Sequence, residues 1–118
     1  MDLIYHIAAA ADWRRAQADG LYRIATRGQS LDEVGFIHAG TARQITPVAN
    51  AIYHDDQDLI VLVIDTDQVG HEIRYEQAPG CDERFPHIYG PLDVRAVIRT
   101  LPLEKDATGQ FSFTPDPG

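Results

Sequence analysis

Leu59-Ile60-Val61-Leu62-Val63-Ile64-Asp65 decides the fold. Its first six residues are the longest wholly apolar run in the chain. The run does not alternate with polar residues, as expected for a central strand covered on both faces. It is far shorter than the roughly 20 apolar residues that span a bilayer. Asp65-Thr66-Asp67 with Gly70 then turns the chain.

Beyond that turn the pattern changes. From His71, Ile73 and Tyr75 oppose Glu72, Arg74 and Glu76, which predicts a half-exposed neighbouring strand. Residues 78–86 read as a loop. His87-Ile88-Tyr89 reads as a short strand ended by Gly90-Pro91, with His87 and Tyr89 pointing the same way. Asp93 is placed to cap a turn before a segment from Val97 to Leu101. Phe111-Ser112-Phe113 pairs back through a turn at Thr108-Gly109, and the Pro-Asp-Pro-Gly end is expected to fray.

On the N-terminal side of the apolar run, Ile45, Val48, Ala49 and Ile52 recur at helical spacing and form one buried stripe. Thr41 and Gln44 have the spacing of a capping box at the head of that helix. Pro47 should kink it, unless the regular part starts at Pro47 with Thr46 as cap. Phe36-Ile37-His38 is a short strand. Ser30-Leu31-Asp32-Glu33 before Gly35 predicts one helical turn, again with capping-box spacing. Ala10 to Asp19 is a helix ended by Gly20, with Trp13 and Ala16 facing inward. Leu3 to Ala8 is a strand with Ile4, His6 and Ala8 on one face. The class is α+β: a single compact domain of short, mostly antiparallel strands with two main helices. Residues 1–105 form the globular part, and 106–118 add a C-terminal hairpin strand and tail.

The 118 residues suit one domain that buries about two-thirds of its unfolded surface without a metal or disulfide staple. The composition, 44% hydrophobic and 24% charged, is that of a globular protein rather than a disordered one. A formal net charge of −8, with Lys105 the only lysine, disfavours DNA or RNA as a partner. A local patch of Arg14, Arg15, Arg23 and Arg27 has the donors for one phosphate group, though such a cluster also serves as a solvated face. Cys81 is the only cysteine, so no internal disulfide forms. A start of Met1-Asp2-Leu3-Ile4-Tyr5-His6 lacks the basic and apolar regions of a signal peptide, and the expected location is cytoplasmic. Oligomeric state is left open.

The chemistry lies in the histidines. His6, His38 and His87 each sit in a short apolar strand-like segment, and a buried imidazole needs partners for both nitrogens. Three together point to one polar pocket. Gly40 and Thr41 follow His38 at a strand-to-helix junction, where backbone N–H groups favour an anion. A tight turn with Thr41 as an ordinary cap explains the same residues. Glu76 shares a face with Glu72 and Arg74, which reads as a solvated face. As a site residue its carboxylate would stabilise charge developing on a sugar carbon. Tyr5, Tyr75 and Tyr89 can stack on a planar ring. His54 and His71, beside Asp55 and Glu72, read as surface residues.

Tyr5-His6-Ile7, Gly35-Phe36-Ile37-His38 with Thr41, Val48-Ala49-Asn50, Leu62-Val63-Ile64-Asp65, Tyr75-Glu76 and Phe85-Pro86-His87-Ile88-Tyr89-Gly90-Pro91-Leu92 carry a resemblance. Over about residues 3 to 103 the chain resembles the small, mostly bacterial domain-of-unknown-function family 952. The resemblance implies an ADP-ribosyltransferase-like fold, a group that cleaves the nicotinamide–ribose bond of NAD. It further implies His6, His38 and Glu76 as catalytic residues, His6 on ribose hydroxyls, with Tyr5, Gly40, Thr41, His87 and Tyr89 contacting ligand. Gly40 departs from the pattern, standing where a serine is expected. Members of the wider group that act on transfer RNA are basic, so a small molecule or a protein is the acceptor expected of this acidic chain. NAD or a related nucleotide would be the ligand, with no resident metal. Two alternatives remain open: a three-histidine zinc hydrolase, although separations of 32 and 49 residues match no local metal motif, and a non-enzymatic ligand-binding or protein-interaction module.

Overall fold

A computed structural model describes residues 2–56, 58–77 and 82–115. The chain runs β1 (Leu3–Ala9), α1 (Ala10–Asp19), β2 (Leu21–Tyr22), β3 (Ile24–Thr26), β4 (Gln29–Ser30), α2 (Leu31–Val34), β5 (Ile37–His38), α3 (Ala42–Ile52) and β6 (Leu59–Asp65). A 3-10 turn (Thr66–Gln68) leads to β7 (Ile73–Gln77), β8 (Arg84–Ile88) and β9 (Leu92–Asp93). A second 3-10 turn (Val94–Ala96) leads to β10 (Val97–Pro102), β11 (Glu104–Lys105) and β12 (Phe111–Ser112).

The apolar run is the central strand of an antiparallel sheet ordered β1-β6-β10. Because strand side chains alternate, Leu62 and Ile64 enter one core with Ile4, Trp13, Ile37 and Ile88. Leu59, Val61 and Val63 enter another with Ile45, Ala49, Phe111 and Phe113. The first core fills the space toward a second antiparallel sheet, ordered β5-β8-β7, while the second lies under α3. The architecture is thus a mixture of helices and antiparallel strands in one domain, as the α+β reading expects.

Local signals hold well in the helices. Helix α1 ends at Gly20 with φ +92°, a left-handed conformation that an L side chain resists. Helix α2 carries the full Ser30–Glu33 capping box. In α3 the structure corrects the alternative of a late start at Pro47: the helix begins at Ala42 and continues through Pro47 to Ile52. The ring leaves only the Arg43 carbonyl without its usual intrahelical donor, and Arg43 is solvent-exposed, so water satisfies that oxygen.

The face of α3 beside Pro47 holds the C-terminal segment. Asn50 donates to the Phe111 carbonyl at 3.1 Å and accepts the Phe111 N–H at 2.7 Å, while the Thr46 hydroxyl accepts the Phe113 N–H at 3.0 Å. Four residues of helix rise about 6.0 Å and two residues of strand about 6.6 Å, so Thr46 and Asn50 match alternate residues of an extended chain. Phe111 and Phe113 are thereby buried, and β12 pairs with β11 through a turn in which Gly109 has φ +85°. The tail at 116–118 lies outside the described residues, as does Cys81.

Two expectations fail. Residues 84–86 are not loop: Arg84, Phe85 and Pro86 belong to β8, where the Pro86 carbonyl accepts the Ala39 N–H at 3.0 Å. The short strands β2, β3 and β4 were not foreseen, because two or three residues are too few to establish a period.

One polar group lies in the first core. His6, 2% exposed, is carried on β1 between the two sheets, and its Nδ1–H donates to the His38 carbonyl. A carbonyl only accepts, so Nε2 is the unprotonated nitrogen and receives the Tyr22 hydroxyl proton at 2.8 Å. Burial lowers the His6 pKa to about 4 and raises that of Tyr22, so both stay neutral.

Two predictions follow from this packing. Leu62→Ala should cost about 2–5 kcal/mol of unfolding free energy in urea titrations, whereas Tyr75→Ala, at a residue 51% exposed, should cost under about 0.5 kcal/mol. For His6, a folded pKa depressed from 6.5 to about 4 means that the unfolded chain binds the extra proton in between. Its contribution is complete above pH 6.5 and declines as pH falls toward 4, by about 2 kcal/mol between pH 7 and 5. Subtracting the His6→Gln profile from wild type isolates it; identical pH slopes would refute this assignment.

Candidate functional site

Alternation on β8 builds the site. Ile88 points into the first core and pairs with Ile37, so the next pair, His38 and His87, points to the opposite face. There the rings meet with centroids 5.2 Å apart in an edge-to-face arrangement. Phe36 stacks on His87 at 4.1 Å and lies 4.8 Å from His38 and 5.3 Å from Tyr89. On β7, register places Glu76 opposite Phe85 and Arg74 opposite His87, so the face read as solvated is the one that carries this cluster. Tyr75 lies on the other face and is exposed.

Glu76 is the hub. Its Oε1 accepts the Nδ1–H of His87 at 2.8 Å and the hydroxyl of Tyr89. These two donors, Tyr89 first, hold the Glu76 carboxyl below its ordinary range, so it is ionised at neutral pH. No hydrogen bond reaches Glu76 Oε2 from the described residues, and its side chain is 37% exposed. The His38 ring likewise has no hydrogen-bond partner among the described residues. Burial first, and His87 second, lower its pKa, so it is a neutral imidazole at pH 7.

These groups open into a cleft of about 760 Å³ that runs along the β1 edge between α3 and the β5-β8-β7 sheet. Tyr5, Gly40, Ile7, Ile45, Val48 and Ile52 make much of its wall, and Thr26, Arg27, Gln29 and Tyr53 close one end. Size and mixed lining are those of a small-molecule site. Gln44, which spacing marked only as a capping residue, also lines the cleft. Its Oε1 accepts the Thr41 N–H at 2.9 Å and its Nε2 donates to the Arg84 carbonyl at 3.0 Å, tying α3 to β8.

The structure brings His38, His87, Glu76 and Tyr89 into contact. His6 also lines the cleft, but it supports the His38 backbone with both of its ring nitrogens engaged in hydrogen bonds within the protein. At the junction after His38, the first two backbone donors are already engaged. The Gly40 N–H bonds to the Tyr5 carbonyl at 2.7 Å, the Thr41 N–H is taken by Gln44, and Thr41 is not part of the cleft wall. Its hydroxyl is buried without a hydrogen-bond partner among the described residues. The arginine patch is largely neutralised, with Arg15 paired to Asp12, Arg23 to Asp19 and Arg27 to Asp56. Phe36 was missed as a site residue; its only sequence signal is its place two residues before His38, on the same strand face.

No three His, Cys, Asp or Glu side chains among the described residues are placed to hold a metal ion, so the three-histidine zinc alternative finds no ligand set there. No helix among them is long and apolar enough to cross a membrane.

Comparisons with known proteins agree with this geometry at the level of family. The crystal structure of protein CC0527 from Caulobacter crescentus is 31% identical, superposes with a TM-score of 0.80 and covers 94% of each chain. The solution NMR structure of CC0527 gives 33% identity and a TM-score of 0.76 over 93% of this chain and 91% of that one. Among curated proteins none matches. The family described as "Protein of unknown function (DUF952)" matches residues 7–100, including the end of β1, all of α3, the apolar strand and the Phe85–Leu92 string. The chain belongs to the DUF952 family.

Proposed function

We propose that the cleft binds NAD or a related nucleotide and transfers its ribosyl-bearing part to an acceptor, in the manner of an ADP-ribosyltransferase. The observation that carries this reading is the ionised Glu76 carboxylate, fixed by His87 and Tyr89 with one oxygen uncommitted among the described residues, beside the neutral His38. A carboxylate so placed stabilises the positive charge that develops on the ribose C1′ as its bond to nicotinamide lengthens. The C1′–N bond breaks with its electron pair leaving on the nicotinamide ring. The acceptor oxygen bonds to C1′, and its proton passes to His38, which has an unprotonated ring nitrogen to receive it.

The neighbouring groups have positioning roles. His87 and Tyr89 orient Glu76, and the Tyr22–His6 pair anchors the carbonyl of His38. Phe36 and Tyr89 offer aromatic surface to a planar ring. A charge of −8 makes a small molecule or a protein a better acceptor than a nucleic acid.

Calorimetry of the folded protein should give saturable heat with NAD. Glu76→Gln and His38→Gln should each weaken it at least about tenfold with little change in melting temperature, and no heat from folded wild type would overturn the reading. The pH profile of nicotinamide release gives a second check. His38 accepts a proton only when neutral, and its pKa is lowered, so activity should persist as pH falls and decline only below the ordinary histidine value of 6.5. An acid limb above that value would remove His38 as the base.

A further inference from the structure

The cleft is large enough for a whole dinucleotide, so volume does not decide which part of the ligand it holds; charge does. Resting on the reading that the cleft takes an N-glycoside, we propose that it engages only the pyridinium–ribose half and leaves the phosphates in solvent. The preferred ligand class is therefore an unphosphorylated cationic N-riboside.

Among the described residues, Glu76 and Arg27 are the charged groups in the cleft wall. Arg27 is already paired: its Nε lies 3.1 Å from the Asp56 carboxylate and its Nη1 donates to the Ile52 carbonyl at 3.0 Å. At the rim, Arg74 covers the Tyr89 ring at 4.6 Å and pairs with Glu72 at 3.0 Å, and Arg43 pairs with Glu83 at 3.9 Å. At the β5–α3 junction the Gly40 and Thr41 N–H groups are taken by the Tyr5 carbonyl and the Gln44 side chain. A phosphate entering this space would give up hydration without gaining the charge-assisted hydrogen bonds that normally replace it.

The opposite holds for a positive ring. Glu76 supplies a carboxylate oxygen that accepts no hydrogen bond from the described residues, and the aromatic surface of Phe36 attracts a cation through its ring quadrupole. An N-ribosylpyridinium places its positive charge beside C1′, so the same carboxylate serves ground-state attraction and the developing oxocarbenium charge. The overall charge of −8 repels an anionic ligand further.

Calorimetry with nicotinamide riboside, nicotinamide mononucleotide and NAD, at one ionic strength near physiological, tests this. The riboside should bind at least as tightly as either phosphorylated compound, and Arg27→Gln should leave the affinity for the mononucleotide within about twofold. Tenfold tighter binding of the mononucleotide or NAD would overturn the proposal while leaving the glycoside reading intact. A tenfold loss confined to the phosphorylated compounds in Arg27→Gln would also overturn it, by making Arg27 a phosphate ligand. Absence of binding by all three would refute the glycoside reading and this proposal with it.

Discussion

Strand β6 is buried on both faces, and the remaining structure is arranged to cover it. An apolar strand with two dry faces needs material on each side, so the chain divides its hydrophobic residues between two cores. One is closed by the second sheet and α1, the other by α3 and the C-terminal phenylalanines. With β6 central, β1 falls at an edge, and the gap between that edge, α3 and the second sheet becomes the cleft. The two three-stranded sheets meet along this edge only through the isolated Tyr5–Gly40 bridge.

The same division imposes a condition on His6. Its position on β1 places it in the dry layer between the sheets, where an imidazole without partners would be costly. Tyr22 and the His38 carbonyl supply those partners, and the resulting chain crosses from the core to the back of the site. A histidine that reads as a candidate ligand contact is therefore a buried support, while His38 keeps its ring nitrogens for the cleft. The polar network in front, Tyr89 and His87 on Glu76, has the complementary character: it is half-open, ionised and incomplete on one carboxylate oxygen.

Legibility tracked the range of the interaction. The capping box of Ser30 and Glu33, the stop at Gly20, the Asp93 cap and the shared direction of His87 and Tyr89 depend on neighbours a few residues away, and all are present. Pro47 misled because its local cost is real, but packing of Ile45 and Ala49 against β6 and the hold of Thr46 and Asn50 on the C-terminal segment outweigh it. Glu76 was ambiguous for a related reason: alternation assigned its face, but whether that face met water or an aromatic cluster depended on the pairing of β7 with β8.

The sequence by itself determined the α+β class, the central apolar strand, the positions of the main helices and the list of polar residues in apolar settings. Periodicity and capping are properties of adjacent residues, and they act before any tertiary contact forms. Only the tertiary structure decided which of those polar residues face a common space. The register of β8 against β5 and β7 turned His38, His87 and Glu76 to one face, and the hydrogen bonds to the His38 carbonyl and Tyr22 engaged both ring nitrogens of His6. Register is set by burying Ile37 and Ile88 together, and side chains with period two follow from it without further choice.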